Sequence, residues 1–267
     1  MEGSKKEKLL KKQIQKIEGK ESRLNCRAGP SFLQKKTAPI RQKAEDKIPP
    51  KLIDTFEAAF EKAFIAVFQK GTDIIEKSYQ KEKAQKQYDI LNYALEKDFN
   101  KKNLRRIDQS AHRKTLLNKG VATAEGAVLG LLGIGLPDIP LFIGVILKML
   151  YQISLSYGFD YRSEEERIFI LYLIAAALSS GEERALLSQK ADRIGRQIDK
   201  GEIRTLPTLE SAVSLASQKL SGSMALSKAV QGFFLIGAVG GAANYRTVST
   251  IGKTAELKYK KRYLAKQ

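Results

Sequence analysis

Apolar and polar positions recur with a helical period along most of the chain. The stretch from residue 51 to 71 reads KLIDTFEAAFEKAFIAVFQKG, and Gly71 ends or bends the helix that this pattern predicts. Four phenylalanines spaced four residues apart lie on one face of that helix, as is typical of a core face: Phe56, Phe60, Phe64 and Phe68. From Ile74 to Leu117 the pattern stays helical, and runs with the alternation of a β-strand are scarce. The sequence therefore predicts a mainly α fold, a helical bundle.

The most apolar stretch of the chain is interrupted at its centre. Between Ala127 and Leu147 the runs AVLGLLGIGL and LFIGVIL surround Leu-Pro-Asp-Ile-Pro. A straight membrane-spanning helix needs about 20 apolar residues, whereas a central Asp costs about 2.5 to 3.5 kcal/mol and an interior Pro about 3 kcal/mol. The first arm, Ala127 to Leu136, would extend roughly 15 Å as a helix, against a hydrocarbon core of about 30 Å. The pattern predicts a helical hairpin that is buried in protein or dips into a membrane surface.

Glycine is frequent in this hairpin and in a second apolar segment, residues 230–243. Each glycine inside a helix costs about 0.5 to 1 kcal/mol relative to alanine, so another contribution must offset that cost. Small residues three or four positions apart let two helix backbones approach closely, in soluble cores as well as in lipid. The residues predicted to form this packing or membrane-contacting surface are Gly130, Gly133, Ile134, Gly135, Phe142, Gly237, Gly240 and Gly241.

Several helix boundaries can be read between residues 157 and 226. Gly158 follows an apolar arm and is suited to the left-handed conformation that closes a helix. Ser163 and Glu166 match a capping box in front of an apolar helix that extends to Leu178 and ends at Ser180-Gly181. A weaker helix is predicted from Val213 to Leu226.

The net charge of +18 is unevenly distributed. Residues 1–50 carry net +8 and residues 51–120 carry +5, whereas residues 121–243 carry −1 and residues 244–267 carry +6. Cationic ends around a neutral apolar centre would attract phosphate-rich partners, either anionic lipid or nucleic acid, through a salt-sensitive field. A solvated basic surface without such a partner is the alternative.

The N-terminal segment 1–47 is predicted to be a basic, disordered extension, with a folded domain at 48–267. Residues 5–18 have the spacing of a short basic amphipathic helix, and low hydrophobicity with Gly-Pro and Ala-Pro breaks predicts a linker from 18 to 47. No apolar signal region follows the basic start, and the single cysteine, Cys26, excludes a disulfide framework. A reducing cytoplasmic setting fits these features best.

Motifs for known chemistry are incomplete. Gly252-Lys253-Thr254 ends like a phosphate-binding loop, but the first glycine of that motif would fall at Thr247. The glycines of Gly130-Leu-Leu-Gly133-Ile-Gly135 are in the wrong order for a dinucleotide site. With His112 and Cys26 as single representatives of their types, we predict no catalytic triad, no metal site and no cofactor.

Polar residues in and beside the apolar segments remain candidates for a ligand-lining site: Asp138, Asp160, Glu166, Arg167, Asn244 and Arg246. An acid at the turn of an apolar hairpin can bind a cation or orient a headgroup. For four of these residues the sequence also offers a purely structural role, and that role is favoured over ligand binding. Asp138 can cap a helix, Asp160 can stabilise a turn, Glu166 can complete the capping box and Arg167 can pair with a neighbouring acid.

Several groups of residues match the motifs of one known family. They are Gly126 to Gly135, Leu136 to Pro140, Tyr157 to Asp160, Glu166-Arg167, and the tail from Gly237 through Arg246 to Thr254 and from Tyr259 to Leu264. On these residues the chain resembles the EcsC protein family over roughly 48–264. That family is named for the third gene beside a bacterial ABC transporter operon. The resemblance implies a helical, bacterial-type domain without an assigned catalytic residue or substrate, and residues 1–47 depart from it.

These features favour a cytoplasmic, accessory and non-enzymatic protein at the inner surface of the cell membrane. Anionic lipid is the predicted partner, with a component of an ABC transporter as a second one. The alternative is an enzyme or small-ligand binder with a carboxylate and arginine pocket, which a convergence of the six candidates would favour. Nonspecific nucleic-acid binding is a third reading and is disfavoured because no reading module or aromatic-rich basic face is present. No oligomeric state is predicted.

Overall fold

A computed structural model describes the backbone at residues 2–26, 49–132, 139–233 and 239–267. It describes the side chains at residues 5–24, 49–118, 139–226 and 245–267. The α-helices of this part are α1 (Glu2–Cys26), α2 (Pro50–Ala66), α3 (Thr72–Lys77), α4 (Lys81–Lys97), α5 (Lys101–Leu132), α6 (Ile139–Ser156), α7 (Glu164–Leu178), α8 (Gly181–Lys200), α9 (Leu209–Phe233) and α10 (Val239–Ala265). A π-helix spans Val67–Gly71 and a 3-10 helix spans Ile203–Thr205. This part of the chain contains no strand, so the predicted mainly α bundle is confirmed.

Helices α6 and α7 form the centre of the bundle. After its charged first turn, helix α7 is buried on every side from Ile168 to Ala177, as expected of a helix enclosed by others. Helix α6 contacts α2, α4, α5 and α10. Among the described residues, α6 is the one helix long and apolar enough to cross a membrane, and 72% of it is buried. Such burial is typical of the core helix of a bundle.

The four phenylalanines of the predicted core face are all buried, which confirms that prediction. Three of them lie on α2, which packs against α6 and α9, and Phe68 lies on the π-helix. The bend expected at Gly71 is the end of the π-helix Val67–Gly71, and the Thr72 hydroxyl donates to the Val67 carbonyl at 3.1 Å. The helical path then continues directly into α3.

The boundaries around α7 agree with the sequence signals. Gly158 has φ +77°, and a Cβ at this position would lie 2.2 Å from the Tyr88 ring, so both its conformation and its neighbour require glycine. The Ser163 hydroxyl accepts the backbone N–H of Glu166 at 3.2 Å and caps α7. Gly181, at φ +57°, starts α8.

Helices α5 and α10 form an antiparallel pair that fixes the orientation of the bundle. Gly252 lies against Thr115, and the Lys260 ammonium is 2.7 Å from the Asp108 carboxylate, so residue numbers fall on α5 as they rise on α10. This register places the end of α5 beside the start of α10. The end of α5 also leads to the start of α6, and the end of α9 leads to the start of α10. We call the common end of these four helices the Gly-rich end.

The N-terminal segment differs from the prediction of a disordered extension. Residues 2–26 form one helix, α1, which packs against α8 and α10. Ile17 is 2% exposed, and the Glu21 carboxylate contacts lysines of α10. Helix α1 docks through the apolar side chains of Leu10, Ile14 and Ile17 together with polar contacts of Gln13 and Glu21. Residues 27–48 lie outside the described residues, so the linker prediction there stays a prediction.

Candidate functional site

Glu166 is the predicted site residue with the most defined surroundings. Its carboxylate is buried and accepts two bonds, at 2.8 and 3.0 Å, from the Arg262 guanidinium of α10. Arg262 also donates to both carboxylate oxygens of Asp199 at 3.0 and 2.9 Å. The guanidinium lies 4.3 Å from the Phe159 ring centroid and 4.4 Å from that of Phe169. The capping box is therefore half formed, because Ser163 caps the helix whereas the Glu166 side chain turns into the core.

The charges of this cluster suit it to hold helices together and not to transfer protons. Burial raises the pKa of Glu166 despite the adjacent Arg262. Burial would lower the pKa of Arg262, but the bonds that it donates to Asp199 and the attraction of Glu166 hold that pKa above its usual value. A guanidinium that stays charged cannot transfer a proton near neutral pH. The cluster connects α7, α8 and α10.

The other predicted ligand-lining residues do not join Glu166. The Arg167 guanidinium lies 5.2 Å from the Phe68 ring centroid, on the side of the π-helix. The Asp160 carboxylate accepts the backbone N–H of Arg162 at 3.1 Å, which is a turn contact. Arg246 is exposed and lies 16 positions before Arg262, roughly 24 Å along the helix. These four residues do not share one pocket. Asp138 and the Asn244 side chain lie outside the described residues.

The cations of α10 form an interhelical network that sequence reasoning missed. Five of the seven basic residues in 244–267 lie within ion-pair distance of carboxylates from other helices. The pairs are Lys258 with Glu21 and Asp192, Lys260 with Asp108, Lys261 with Glu21 and Asp192, Arg262 with Glu166 and Asp199, and Lys266 with Asp199. Much of the C-terminal charge is thus matched inside the bundle. Arg246 and Lys253, nearer the start of α10, are exposed.

A second polar cluster fastens α3 to the loop before α7. Arg162 donates to Glu76 at 2.9 Å, and the Tyr161 hydroxyl donates to the same carboxylate at 2.6 Å. Lys81 lies 3.2 Å from it. Burial alone would raise the pKa of Glu76, but the bonds from Arg162, Tyr161 and Lys81 outweigh burial and lower it to about 2. No local motif connects partners 85 positions apart.

The Gly-rich end combines exposed apolar and cationic side chains. Leu141, near the start of α6, is 49% exposed, and Tyr245, near the start of α10, is 44% exposed. Arg246 and Lys253 lie on α10 below this end. Phe142 is half-buried and packs against the core.

The remaining residues of the predicted glycine surface lie outside the described side chains. Gly130 belongs to α5, and Gly240 and Gly241 belong to α10, but their surroundings are not among the described contacts. Gly133, Ile134, Gly135 and Gly237 lie outside the described residues altogether. The described part has close glycine packing at other positions. A Cβ at Gly252 would lie 2.6 Å from Thr115, and one at Gly195 would lie 2.7 Å from Arg262.

A small, open cleft lies where α1, α7, α8 and α10 meet. Its lining residues are Glu21, Leu24, Ala176, Arg184, Ser188, Thr254, Leu257 and Lys258. Two basic side chains and one acidic side chain therefore face a shared space.

Comparison with known proteins gives the family. The EcsC protein family matches residues 11–264. The chain belongs to the EcsC protein family. It is 25% identical to Protein EcsC of Bacillus subtilis (strain 168) over 226 residues, which cover 84% of each chain. It is 28% identical to Uncharacterized protein YdbA of the same strain over 177 residues, which cover 62% of this chain and 61% of the relative. No solved structure matches the chain.

The family match begins inside α1. Residue 11 lies 37 positions before residue 48, where the sequence analysis began the EcsC-like domain. Helix α1 supplies Ile17 and Glu21, which contact the bundle. The match and the packing both extend the family region toward the N-terminus.

Proposed function

We propose that this EcsC-family chain is an accessory, non-enzymatic protein that binds the cytoplasmic surface of the cell membrane through its Gly-rich end. The observation that carries the proposal is the antiparallel pairing of α5 with α10. Because of that pairing, the helices flanking both apolar, Gly-rich segments converge at one end of the bundle. Residues 229–244, which include the second segment, contain no charged side chain.

The charges beside this end support lipid as the partner. Arg246 lies seven residues after the start of α10, roughly 10 Å along the helix, and Lys253 lies two turns further on. An apolar surface of a peripheral protein enters the boundary of headgroups and acyl chains by about 5 to 10 Å. Arg246 would then lie at the level of anionic headgroups, and Lys253 just outside it. An apolar tip with cations behind it suits the surface of an anionic bilayer.

The burial of α6 and the length of the apolar stretch favour surface binding over a membrane-spanning arrangement. Helix α6, which is apolar enough to span, is mostly enclosed by other helices. The apolar run before the turn, Ala127 to Leu136, would extend only roughly 15 Å as a helix, against a hydrocarbon core of about 30 Å. The accessory role beside an ABC transporter component is proposed from the family resemblance alone.

Vesicle flotation with a matched pair of variants tests this function. Leu141→Asp/Tyr245→Asp puts two acids at the Gly-rich end, whereas Leu186→Asp/Ile203→Asp puts two acids at apolar positions of α8 and the 3-10 helix that are at least as exposed. We expect the wild type and the control to float with vesicles containing anionic lipid, and to keep a bound fraction in 1 M salt. The first variant should lose that salt-resistant fraction because charges oppose insertion.

Circular dichroism must first establish that both variants keep the wild-type helix content and melting midpoint. Complete release of the wild type by 1 M salt would contradict apolar insertion. Equal flotation of the two variants would contradict the assignment to the Gly-rich end. A protein that does not bind anionic vesicles at low salt would refute membrane binding altogether.

A further inference from the structure

We propose that the cleft between α1, α8 and α10 is a phosphate-binding site and that the Glu21 carboxylate of α1 occupies it in place of the ligand. This inference goes beyond membrane association and does not depend on it. The ligand class is a phosphate group, carried by a small soluble molecule or by a phosphomonoester lipid headgroup.

Arg184 supplies the first reason. Its guanidinium lines the cleft and makes two weak bonds, one to the Ala177 carbonyl at 3.3 Å and one to the Thr254 hydroxyl at 3.4 Å. Among the described residues, no carboxylate lies within ion-pair distance of it. Burial lowers the pKa of Arg184, which indicates a charge removed from water without a compensating anion. An arginine in that state, with most of its five donors unused, is suited to bind phosphate.

Lys258 supplies the second reason. It is 2% exposed, and its ammonium contacts the Ser188 carbonyl at 3.1 Å, Asp192 at 2.8 Å and Glu21 at 2.8 Å. The first two partners belong to α8, so they are fixed parts of the bundle. The third comes from α1. Glu21 therefore holds the position where an external anion would meet Lys258.

The charges around the cleft favour an added anion when Glu21 leaves. Lys261 also contacts Asp192 at 2.7 Å and Glu21 at 3.1 Å. The charges in and beside the cleft are thus three cations, Arg184, Lys258 and Lys261, and two carboxylates, Asp192 and Glu21. Without Glu21 the group carries net +2, which matches the charge of a phosphate dianion.

Helix α1 buries few of its side chains, which makes this exchange feasible. Among its described side chains Gln13 and Ile17 are buried, and Leu10 and Ile14 pack against the core while partly buried. Helix α1 also carries eight basic residues and docks on a basic helix, which raises the cost of holding it in place. Phosphate and Glu21 would therefore compete for the same cations, and phosphate binding would loosen α1.

Calorimetric titration of the full chain with inorganic phosphate tests the site. Arg184→Gln should weaken binding about tenfold or more, because it removes the unpaired guanidinium. Glu21→Gln should strengthen binding by about tenfold, because it removes the competing charge. The control is Arg193→Gln, which removes an exposed arginine from the same helix and should change affinity less than about twofold. Hydrogen exchange should become faster in α1 when phosphate is added.

The comparison among variants decides the outcome. Absence of phosphate binding in both the wild type and Glu21→Gln would overturn the proposal, and so would equal effects of Arg184→Gln and Arg193→Gln. If Arg184→Gln lowers the melting midpoint, the gain in Glu21→Gln and the exchange in α1 remain decisive. A loss of affinity in Glu21→Gln would mean that this carboxylate is only a brace.

Two further experiments are needed. One distinguishes a lipid headgroup from a soluble phosphate as the ligand, and the other distinguishes this site from the proposed membrane-binding surface. A headgroup site predicts stronger binding to vesicles with phosphatidic acid than with phosphatidylglycerol at equal lipid charge, whereas a site for a soluble phosphate predicts titration by inorganic phosphate with no such preference. Both results support phosphate chemistry in the cleft. Leu141→Asp/Tyr245→Asp should leave the phosphate titration unchanged, so failure of membrane binding and failure of this site are distinguishable.

Discussion

The Arg262 guanidinium is shared between two carboxylates from different helices and lies between two aromatic rings. Its cationic plane satisfies Glu166 and Asp199 at once and packs against Phe159 and Phe169. Removing one member of a buried ion pair leaves the other charge without its partner, and this is more costly than losing an exposed pair. The stability of the α7–α8–α10 junction should therefore depend on each partner.

Glu166→Gln tests this dependence. We expect the free energy of unfolding to fall by about 3 kcal/mol, because Arg262 keeps its charge and loses one of its two anions. Urea unfolding followed by circular dichroism measures the change. Glu164→Gln, an exposed position in the same helical turn, is the control and should change stability by about 0.5 kcal/mol or less. Equal effects of the two substitutions would contradict the role of Glu166 as a buried brace.

Glu76 gives a prediction about pH. Its pKa is lowered from 4.5 to about 2 in the folded protein, because the bonds from Arg162, Tyr161 and Lys81 outweigh the effect of burial. The folded state therefore holds the ionised form more strongly than the unfolded state does. The resulting stabilisation is present above pH 4.5 and is lost as the pH falls from about 4.5 toward 2.

Comparing Glu76→Gln with the wild type over that pH range checks the sign. The variant should be less stable at neutral pH, and its unfolding midpoint should decline less steeply below pH 4.5. Glu82→Gln removes an exposed acid nearby and should keep the wild-type slope. A wild-type slope in Glu76→Gln would show that other carboxylates control acid unfolding.

These residues also indicate how far sequence analysis reached. Ser163 and Glu166 were recognised because a capping box is local, with members three positions apart. The partner of Glu166 was not, because Arg262 is 96 positions away and an arginine in a basic C-terminal helix has no distinguishing pattern. The charge runs on α10 suggested a surface for lipid, whereas most of those cations lie opposite acids contributed by α1, α5, α7 and α8.

At the level of helices, the α5–α10 contact depends on Gly252, which the sequence analysis considered only as part of an incomplete phosphate-binding motif. A Cβ at Gly252 would lie 2.6 Å from the Thr115 methyl and 3.0 Å from the Met149 sulfur. A β-branched threonine inside a helix has little rotamer freedom with which to move away. The sequence thus predicts that small residues pack helices closely together. It does not predict which glycine does so, because that depends on the register between two helices, which periodicity does not specify.

Gly252→Ala should therefore destabilise the protein, although alanine is the better helix former. Overpacking costs about 1 to 3 kcal/mol, against a gain of about 0.5 to 1 kcal/mol from helix propensity. Gly222→Ala is the matched control, because a Cβ at Gly222 meets no atom within 4 Å. That substitution should raise the thermal midpoint, and Gly252→Ala should lower it. A stabilised Gly252→Ala would contradict close contact between α5 and α10.

For the whole molecule, the arrangement of charge matters more than its sum. The net charge of +18 suggests attraction to any polyanion, yet cations differ in how far they are matched inside the bundle. Lys258 and Arg262 are buried among carboxylates, whereas Arg246 and Lys253 are exposed below the Gly-rich end. The helical period of apolar residues predicts the fold class, but the paired and exposed cations can be told apart only once the positions of the helices are known.

If the Gly-rich end contacts lipid, then the position of a cation should determine its contribution to binding. At about 0.15 M ionic strength the Debye length is near 8 Å, so charges far from the bilayer contribute little. A basic residue close to an anionic surface contributes about 1 kcal/mol. Arg246→Gln/Lys253→Gln should weaken binding to anionic vesicles by about tenfold, because Arg246 at the headgroups contributes about 1 kcal/mol and Lys253, two turns further away, contributes less.

Arg193→Gln/Arg204→Gln removes the same net charge from exposed positions on α8 and the 3-10 helix. It should weaken vesicle binding by less than about threefold, because these arginines would lie more than a Debye length from the bilayer. In 1 M salt the two double variants should bind vesicles equally well. The Debye length then falls to about 3 Å, and only apolar insertion retains the protein. Equal losses at 0.15 M salt would mean that total charge, and not the Gly-rich end, directs the protein to the membrane.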